Sequence, residues 1–141
     1  EGGLDVASQL SRMSDVCDQL RSNNIRASLF IDADMRQIDA AAECKAPVIE
    51  IHTGHYADAT NQKDIELELK KIIEACEYAH SLGIQVNAGH GLTLENTSAI
   101  AKIDSIVELN IGHSIISRAL FVGLASATSE MKALLLEARG Q

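Results

Sequence analysis

The segments IQVNAGH (residues 84–90) and IVELNIGH (residues 106–113) decide the fold of this chain. Each is a short run rich in apolar and β-branched residues, and each ends in the same polar pattern, Asn-x-Gly-His. Such runs are typical of β-strands that end in a loop. Two earlier runs have the same strand character, IRASLFID (residues 25–32) and APVIEIHTG (residues 46–54). The sequence therefore predicts four strands.

Helical patterns lie before, between and after these strands. Apolar residues recur every three to four positions in residues 5–23 and again from about 64 to 81, which predicts amphipathic helices there. The tripeptide Asp32-Ala33-Asp34 offers an N-cap for another helix, a short helix is predicted around residues 95–101, and two helical segments close the chain. Strands that alternate with helices are parallel and joined by right-handed crossovers, so the chain is an α/β protein.

The two faces of each strand distinguish a barrel from a doubly wound sheet. In the last strand, apolar Val107, Leu109 and Ile111 alternate with polar Glu108 and Asn110, and the two preceding strands show a similar alternation. A doubly wound sheet covers both faces with helices and makes its strands almost uniformly apolar, whereas a barrel turns one face toward its lumen. The alternation favours a TIM (β/α)8 barrel. A complete barrel takes roughly 250 residues, so we expect about half of one here.

Composition narrows the classes of partner. The 141 residues are 46% hydrophobic, enough for one globular domain, and carry a net charge of -8 with 3% aromatics. Without a basic cluster or a stacking platform, nucleic acid is not an expected partner. No run is long and apolar enough to predict a membrane span. Three cysteines, an odd number without a Cys-x-x-Cys pair, favour a reducing cytoplasm.

The chemistry is expected where the strands end, because parallel barrels assemble their sites at the carboxyl ends of the strands. Glu50, His90 and His113 fall at or near these ends. Gly112 and His113 precede a predicted helix, whose free N–H groups and dipole favour a phosphate. Each residue also has a structural interpretation: a histidine at a strand end is often hydrogen-bonded scaffolding, and Glu50 could pair with an arginine in the lumen.

Two other chemistries find weaker support. Histidine and carboxylate together suit zinc, and the sequence offers His52, His55, His90 and His113 with Glu50 as ligands. The spacing is weak evidence, because His52 and His55 lie on either side of a turn at Gly54 and need not converge. Nucleophilic cysteine chemistry is disfavoured because Cys17 and Cys76 fall on the core stripes of helices, and Cys44 lies near a helix end.

Five segments carry a resemblance to a known family: EGGLDV, SLFIDAD, APVIEIHTGHYADA, VNAGHGLT and ELNIGHSIISRALFVGL. Together they resemble the C-terminal half of the pyridoxine 5'-phosphate synthase family, over nearly the whole chain. The resemblance implies a TIM barrel with extra helices, assembled as a homo-octamer. It also implies a transferase that condenses 3-amino-2-oxopropyl phosphate with 1-deoxy-D-xylulose 5-phosphate, without a metal or an organic cofactor, to give pyridoxine 5'-phosphate, phosphate and water.

The resemblance also assigns roles to five residues. His90 matches the family's proton donor, and Gly91 matches a substrate-binding backbone position. Gly112 and His113 match the phosphate-binding Gly-His pair, and Glu50 matches a carboxylate that stabilises the transition state. The chain opens without an initiator methionine, so we expect residues 1–141 to be the C-terminal half of a single barrel domain, with the N-terminal half and its catalytic residues upstream. Activity is then expected of the intact protein rather than of this segment.

Two alternatives remain open at this point. Another phosphate-binding barrel, such as a sugar-phosphate isomerase or aldolase, would want a Schiff-base lysine or a metal at a strand end, and no lysine occupies the predicted ends. A half-barrel that serves only in binding or assembly would not need the polar cluster at the strand ends.

Overall fold

A computed structural model describes residues 2–141 of the chain. Its single sheet has four parallel strands in the order β1-β2-β3-β4, so each strand pairs with its neighbour in sequence. The strands are β1 (Ser28–Ile31), β2 (Val48–His52), β3 (Gln85–Gly89) and β4 (Ile106–Asn110). The prediction of four parallel strands alternating with helices is confirmed, and sequential order is the order found along the wall of a barrel.

Seven α-helices accompany the described strands, and a 3₁₀ turn at Ala7–Gln9 leads into the first. They are α1 (Leu10–Ser22), α2 (Met35–Glu43), α3 (Gly54–Asp58), α4 (Gln62–Ser81), α5 (Thr97–Ala101), α6 (His113–Val122) and α7 (Leu124–Ala138). The sequence did not predict α3, because five residues are too few to show a helical period and the helix starts just after β2 ends.

Polar caps set where two helices begin. The Asp34 carboxylate accepts the Arg36 backbone N–H at 2.8 Å and starts α2, as the sequence predicts. Asn61 accepts the Asp64 backbone N–H at 3.0 Å, so α4 begins at Gln62, two residues before the predicted start.

The core lies between the sheet and the helices α1, α2 and α4. Ile49 and Ile51 of β2 are completely buried, and Ile38 of α2 and Cys76 of α4 are buried in the same cluster. Burial of an aliphatic side chain of this size contributes about 1.5–3 kcal/mol. The same cluster includes Cys17, so the assignment of Cys17 and Cys76 to core stripes is confirmed.

A register shift that the sequence did not predict interrupts β4 near its start. Val86 pairs with Ile106 and Asn87 pairs with Glu108, so a register shift leaves Val107 as an extra residue in β4. Ile106 is buried in the core, whereas Val107 is 69% exposed. Because of this shift, Ile106 and Leu109, three residues apart, both pack in or against the core, and the sequence of one strand cannot reveal such a shift.

Strands β1 and β4 form the two edges of the sheet. The segment before α1 covers part of the β1 edge, where Leu4 donates its N–H to the Phe30 carbonyl at 2.7 Å and Gly3 donates to Asp32 Oδ1 at 3.1 Å. Within residues 2–141, no helix has the length and apolar character to cross a bilayer.

Replacement of Gly3 by alanine should destabilise the fold. A Cβ atom there would overlap the Asp32 backbone nitrogen and lie 2.6 Å from the Ile31 carbonyl carbon, and backbone atoms cannot move aside cheaply. We expect the free energy of unfolding to fall by about 1–3 kcal/mol, measured by urea denaturation. Gly2→Ala is the matched control, since its Cβ would meet nothing within 4 Å. Equal stability of the two variants would contradict this contact.

Candidate active site

A cavity of about 470 Å³ lies at the carboxyl ends of the strands. Its walls come from β1, β2 and the loops that follow β3 and β4. All five residues singled out in the sequence line it: Glu50, His90, Gly91, Gly112 and His113. The parallel strands thus bring together residues that lie far apart along the chain.

Glu50 lies in the middle of β2 and is half-buried beneath the cavity. Its Oε2 accepts a hydrogen bond from Asn110 Nδ2 at 2.8 Å. Burial raises the pKa of the Glu50 carboxyl, the Asn110 bond opposes that shift, and the nearby Glu108 carboxylate adds to it. The net effect favours the protonated form more than in an exposed glutamate, which suits a group that takes part in proton transfer.

Gly89, the last residue of β3, makes room for Glu50. A Cβ atom at Gly89 would overlap Glu50 Oε1 and lie 2.8 Å from the Asn110 carbonyl oxygen. The register explains this contact, because Glu50 pairs with Asn87, two residues before Gly89 on the same face of β3, and Gly89 itself pairs with Asn110. A glycine is therefore needed at this point of the sheet.

Gly89→Ala should displace the Glu50 carboxylate and weaken its bond to Asn110. We expect the variant to lose about 1–3 kcal/mol of stability through overpacking, measured by urea denaturation. In the full-length protein, the activity of Gly89→Ala should be reduced, as that of Glu50→Gln should be. Ala88→Gly, on the adjacent residue of the same strand, is a control for destabilisation alone. A Gly89→Ala protein that is as active and as stable as the unsubstituted protein would contradict the packing described here.

His90 occupies the first position after β3 in a left-handed conformation, with φ of +84°, and Gly91 follows with φ of +73°. The residue is exposed toward the cavity. The Thr53 hydroxyl lies 2.6 Å from the His90 carbonyl oxygen and 2.8 Å from that of Gly89, so its proton is donated to this strand end. The Thr53 N–H also donates to the Gly89 carbonyl at 2.9 Å. The backbone of His90 is thus anchored to the end of β2.

His113 is the first residue of α6, and Gly112 is its N-cap residue. The first bond of the helical ladder runs from the Ile116 N–H to the Gly112 carbonyl at 3.0 Å, so the three preceding amides lie outside the ladder. Gly112 supplies no side chain to cap them. The Ser114 hydroxyl donates to the Leu92 carbonyl at 2.6 Å and fixes this helix end beside the loop that follows β3. The cavity therefore contains a helix N-terminus that favours an anion.

The structure brings His52 and His55 together, which their spacing did not predict. Their ring centroids are 5.6 Å apart, and His52 Nδ1 lies 2.8 Å from Asp32 Oδ1. One potential ligand atom from each of Asp32, His52 and His55 falls within 4.8 Å of the others. Glu50 and His113, which the sequence also offered as ligands, line the cavity instead. The short turn into α3 explains the convergence, because α3 folds His55 back over the end of β2.

The three cysteines lie away from this cavity. Cys17, Cys44 and Cys76 are all free thiols and all buried. Burial raises the pKa of the Cys76 thiol to about 12, which keeps it protonated and unreactive at neutral pH. A cysteine nucleophile is disfavoured, as the sequence indicates.

The fold and the site define a class: a parallel α/β protein of the barrel type, with histidine and carboxylate side chains and a helix N-terminus around one cavity at the carboxyl ends of its strands. A family model described as "Pyridoxal phosphate biosynthesis protein PdxJ" matches residues 1–137, and the chain belongs to that family. It is 55% identical over 139 residues to the pyridoxine 5'-phosphate synthase of Photobacterium profundum, with 99% of this chain and 57% of that protein covered. The resemblance found in the sequence is thereby confirmed, and the chain spans a little over half the length of this relative.

Several residues of the site were not found from the sequence. Phe30 lines the cavity from β1, and Gly54 and Gly89 pack closely against His52 and Glu50. The only signal in the sequence was indirect, since glycines at the ends of strands often mark a close approach.

Proposed function

We propose that this chain is the C-terminal half of the TIM barrel of a pyridoxine 5'-phosphate synthase. The reaction joins 3-amino-2-oxopropyl phosphate and 1-deoxy-D-xylulose 5-phosphate by acid-base catalysis and releases phosphate and water. One observation carries the proposal: the five residues matched to the family's site lie around one cavity, in a chain that belongs to this family. Family membership also favours this reaction over a sugar-phosphate isomerase or aldolase and over a module that serves only in assembly.

The geometry supports different roles for His90 and Glu50. Ring closure with loss of water and phosphate needs repeated proton transfers, and an imidazole exchanges protons near neutral pH. His90 faces the cavity from a loop and is the proposed proton donor. Glu50, half-buried at the base of the cavity, is proposed to stabilise charge that develops in the transition state.

The phosphate is proposed to bind at the N-terminus of α6. The amides that precede the helical ladder, the Gly112 backbone and the His113 side chain supply donors, and Gly91 lines the same cavity with its backbone. We further propose, on the strength of the family, that the intact protein is a cytoplasmic homo-octamer that uses no metal or organic cofactor.

His90→Asn and His113→Asn should differ in which kinetic constant they change. Loss of a positioned proton donor costs on the order of 100- to 10,000-fold in rate, so His90→Asn should lower kcat. Loss of one phosphate contact should raise mainly KM. Steady-state kinetics of the full-length protein measure both, with circular dichroism as the check on the fold. A near-normal kcat in His90→Asn together with inactive His113→Asn would require the two roles to be exchanged.

Gly112→Val tests the phosphate site without disturbing the packing. A Cβ atom at Gly112 would meet nothing within 4 Å, and its φ of -121° suits any residue. The added side chain should therefore block the approach of the anion, and we expect KM to rise while stability falls by no more than about 0.5–2 kcal/mol, because valine is a poorer N-cap residue than glycine. Gly112→Ala should give a smaller rise. Unchanged inhibition by inorganic phosphate in Gly112→Val would place the phosphate elsewhere.

A further inference from the structure

His52 and Asp32 form a pair behind the cavity, and the roles proposed above do not use it. The His52 side chain is only 2% exposed, whereas Asp32 is 43% exposed. Nδ1 of His52 lies 2.8 Å from Asp32 Oδ1, which also accepts the Gly3 backbone N–H at 3.1 Å. A carboxylate only accepts hydrogen bonds, so the proton of the neutral imidazole is on Nδ1 and the lone pair is on Nε2. Asp32 thus fixes both the tautomer and the rotation of a buried ring.

The other nitrogen of His52 has an unusual environment. Nε2 is buried without a hydrogen-bond partner among the described residues. It faces Gly54, where a Cβ atom would overlap Nε2 and would lie 2.8 Å from His52 Cε1. The same Cβ would lie 3.1 Å from Cδ2 of His90. The edges of the two imidazoles therefore converge on the Cα atom of Gly54. A buried acceptor left unpaired costs about 1–3 kcal/mol of stability. A functional role of the His52 ring would explain why this unfavourable arrangement is retained.

The ring of His52 is the surface against which His90 packs. The two ring centroids are 4.9 Å apart in an edge-on arrangement with an interplanar angle of 60°. Phe30 contacts the same group, 5.1 Å from the His52 ring and 6.4 Å from the His90 ring. The next residue, Thr53, holds the His90 backbone. The end of β2 therefore fixes both the main chain and the imidazole of His90.

We propose that His52, oriented by Asp32, is a positioning residue that sets the direction of the His90 imidazole toward the substrate. Without the Asp32 acceptor, the His52 ring loses the hydrogen bond that sets its χ2 angle. The His90 ring then loses a fixed wall on one side. The inference rests on the proposed function insofar as His90 is the proton donor, but the position of His90 can be measured independently of activity.

A metal site is the competing explanation of the same residues. An ion held by Asp32, His52 and His55 would require Asp32 Oδ1 and His52 Nδ1 to give up their mutual hydrogen bond and turn to the metal. Calorimetric titration of the unsubstituted protein with Zn²⁺ distinguishes a metal site from a positioning role of His52. Stoichiometric binding that Asp32→Ala abolishes would overturn the positioning role in favour of a metal site, and failure to bind supports the hydrogen-bonded pair.

The main experiment compares three variants of the full-length protein. Asp32→Ala removes the acceptor, whereas Asp32→Asn keeps an oxygen that accepts the Nδ1 proton. Asp34→Asn is the matched control, since it lies two residues away and asparagine also caps a helix. We expect kcat of Asp32→Ala to fall on the order of 10- to 100-fold, as misplacement of a catalytic group does, with KM within about twofold because the phosphate site is elsewhere. Asp32→Asn should recover most of kcat, and Asp34→Asn should match the unsubstituted protein.

The spectroscopic arm follows the imidazole signals of His90 in ¹⁵N-labelled protein, assigned with His90→Asn. These signals should move in Asp32→Ala and stay in place in Asp34→Asn. Gly54→Ala is a second way to displace the His90 imidazole, because its Cβ would push the His52 and His90 rings apart. This variant is used if Asp32→Ala fails to fold. Unmoved His90 signals in a folded variant, or an unchanged kcat, would overturn the inference. If His90→Asn itself proved active, the proposed proton donor would be wrong, while the spectra would still decide whether the pair positions His90.

Discussion

The parallel register of β2 and β3 is the constraint on which the candidate site depends. Glu50 pairs with Asn87, and His52 pairs with Gly89, so both strands end at the same level. The residue after each end, Thr53 or His90, then lies beside the other, and the Thr53 hydroxyl bonds directly to the His90 carbonyl. A slip of one residue would turn Glu50 from the cavity side of the sheet to the core side, because side chains alternate along a strand.

Two glycines allow polar side chains to approach the backbone at this level. Gly89 accommodates the Glu50 carboxylate, and Gly54 accommodates the edges of the His52 and His90 rings. A protein interior is close-packed, so a methyl group at either glycine would displace these polar side chains. The two glycines are therefore as necessary to the site as its charged groups. The same packing keeps Glu50 partly desolvated, which is the main cause of its raised pKa.

Anion binding in this chain has to be local. The net charge is -8, and both Glu50 and Glu108 lie on the polar face of the sheet. A long-range positive field is therefore not available to attract phosphate. The N-terminus of α6 offers backbone N–H groups that can bond directly to an anion, and the helix dipole acts over this first turn. The proposed phosphate therefore binds at this helix N-terminus rather than beside Glu50.

The sequence alone determined the alternation of strands and helices, because hydrophobic periodicity and caps such as Asp34 act over a few residues. It also located Glu50, His90 and the Gly112-His113 pair, since parallel strands must present their ends on one side. The bulge at Val107, the short helix α3 and the meeting of Asp32, His52 and His55 were decided by the tertiary structure. Each of these depends on the register between strands and on the path of the chain after β2, and contacts between distant residues leave no local pattern in the sequence.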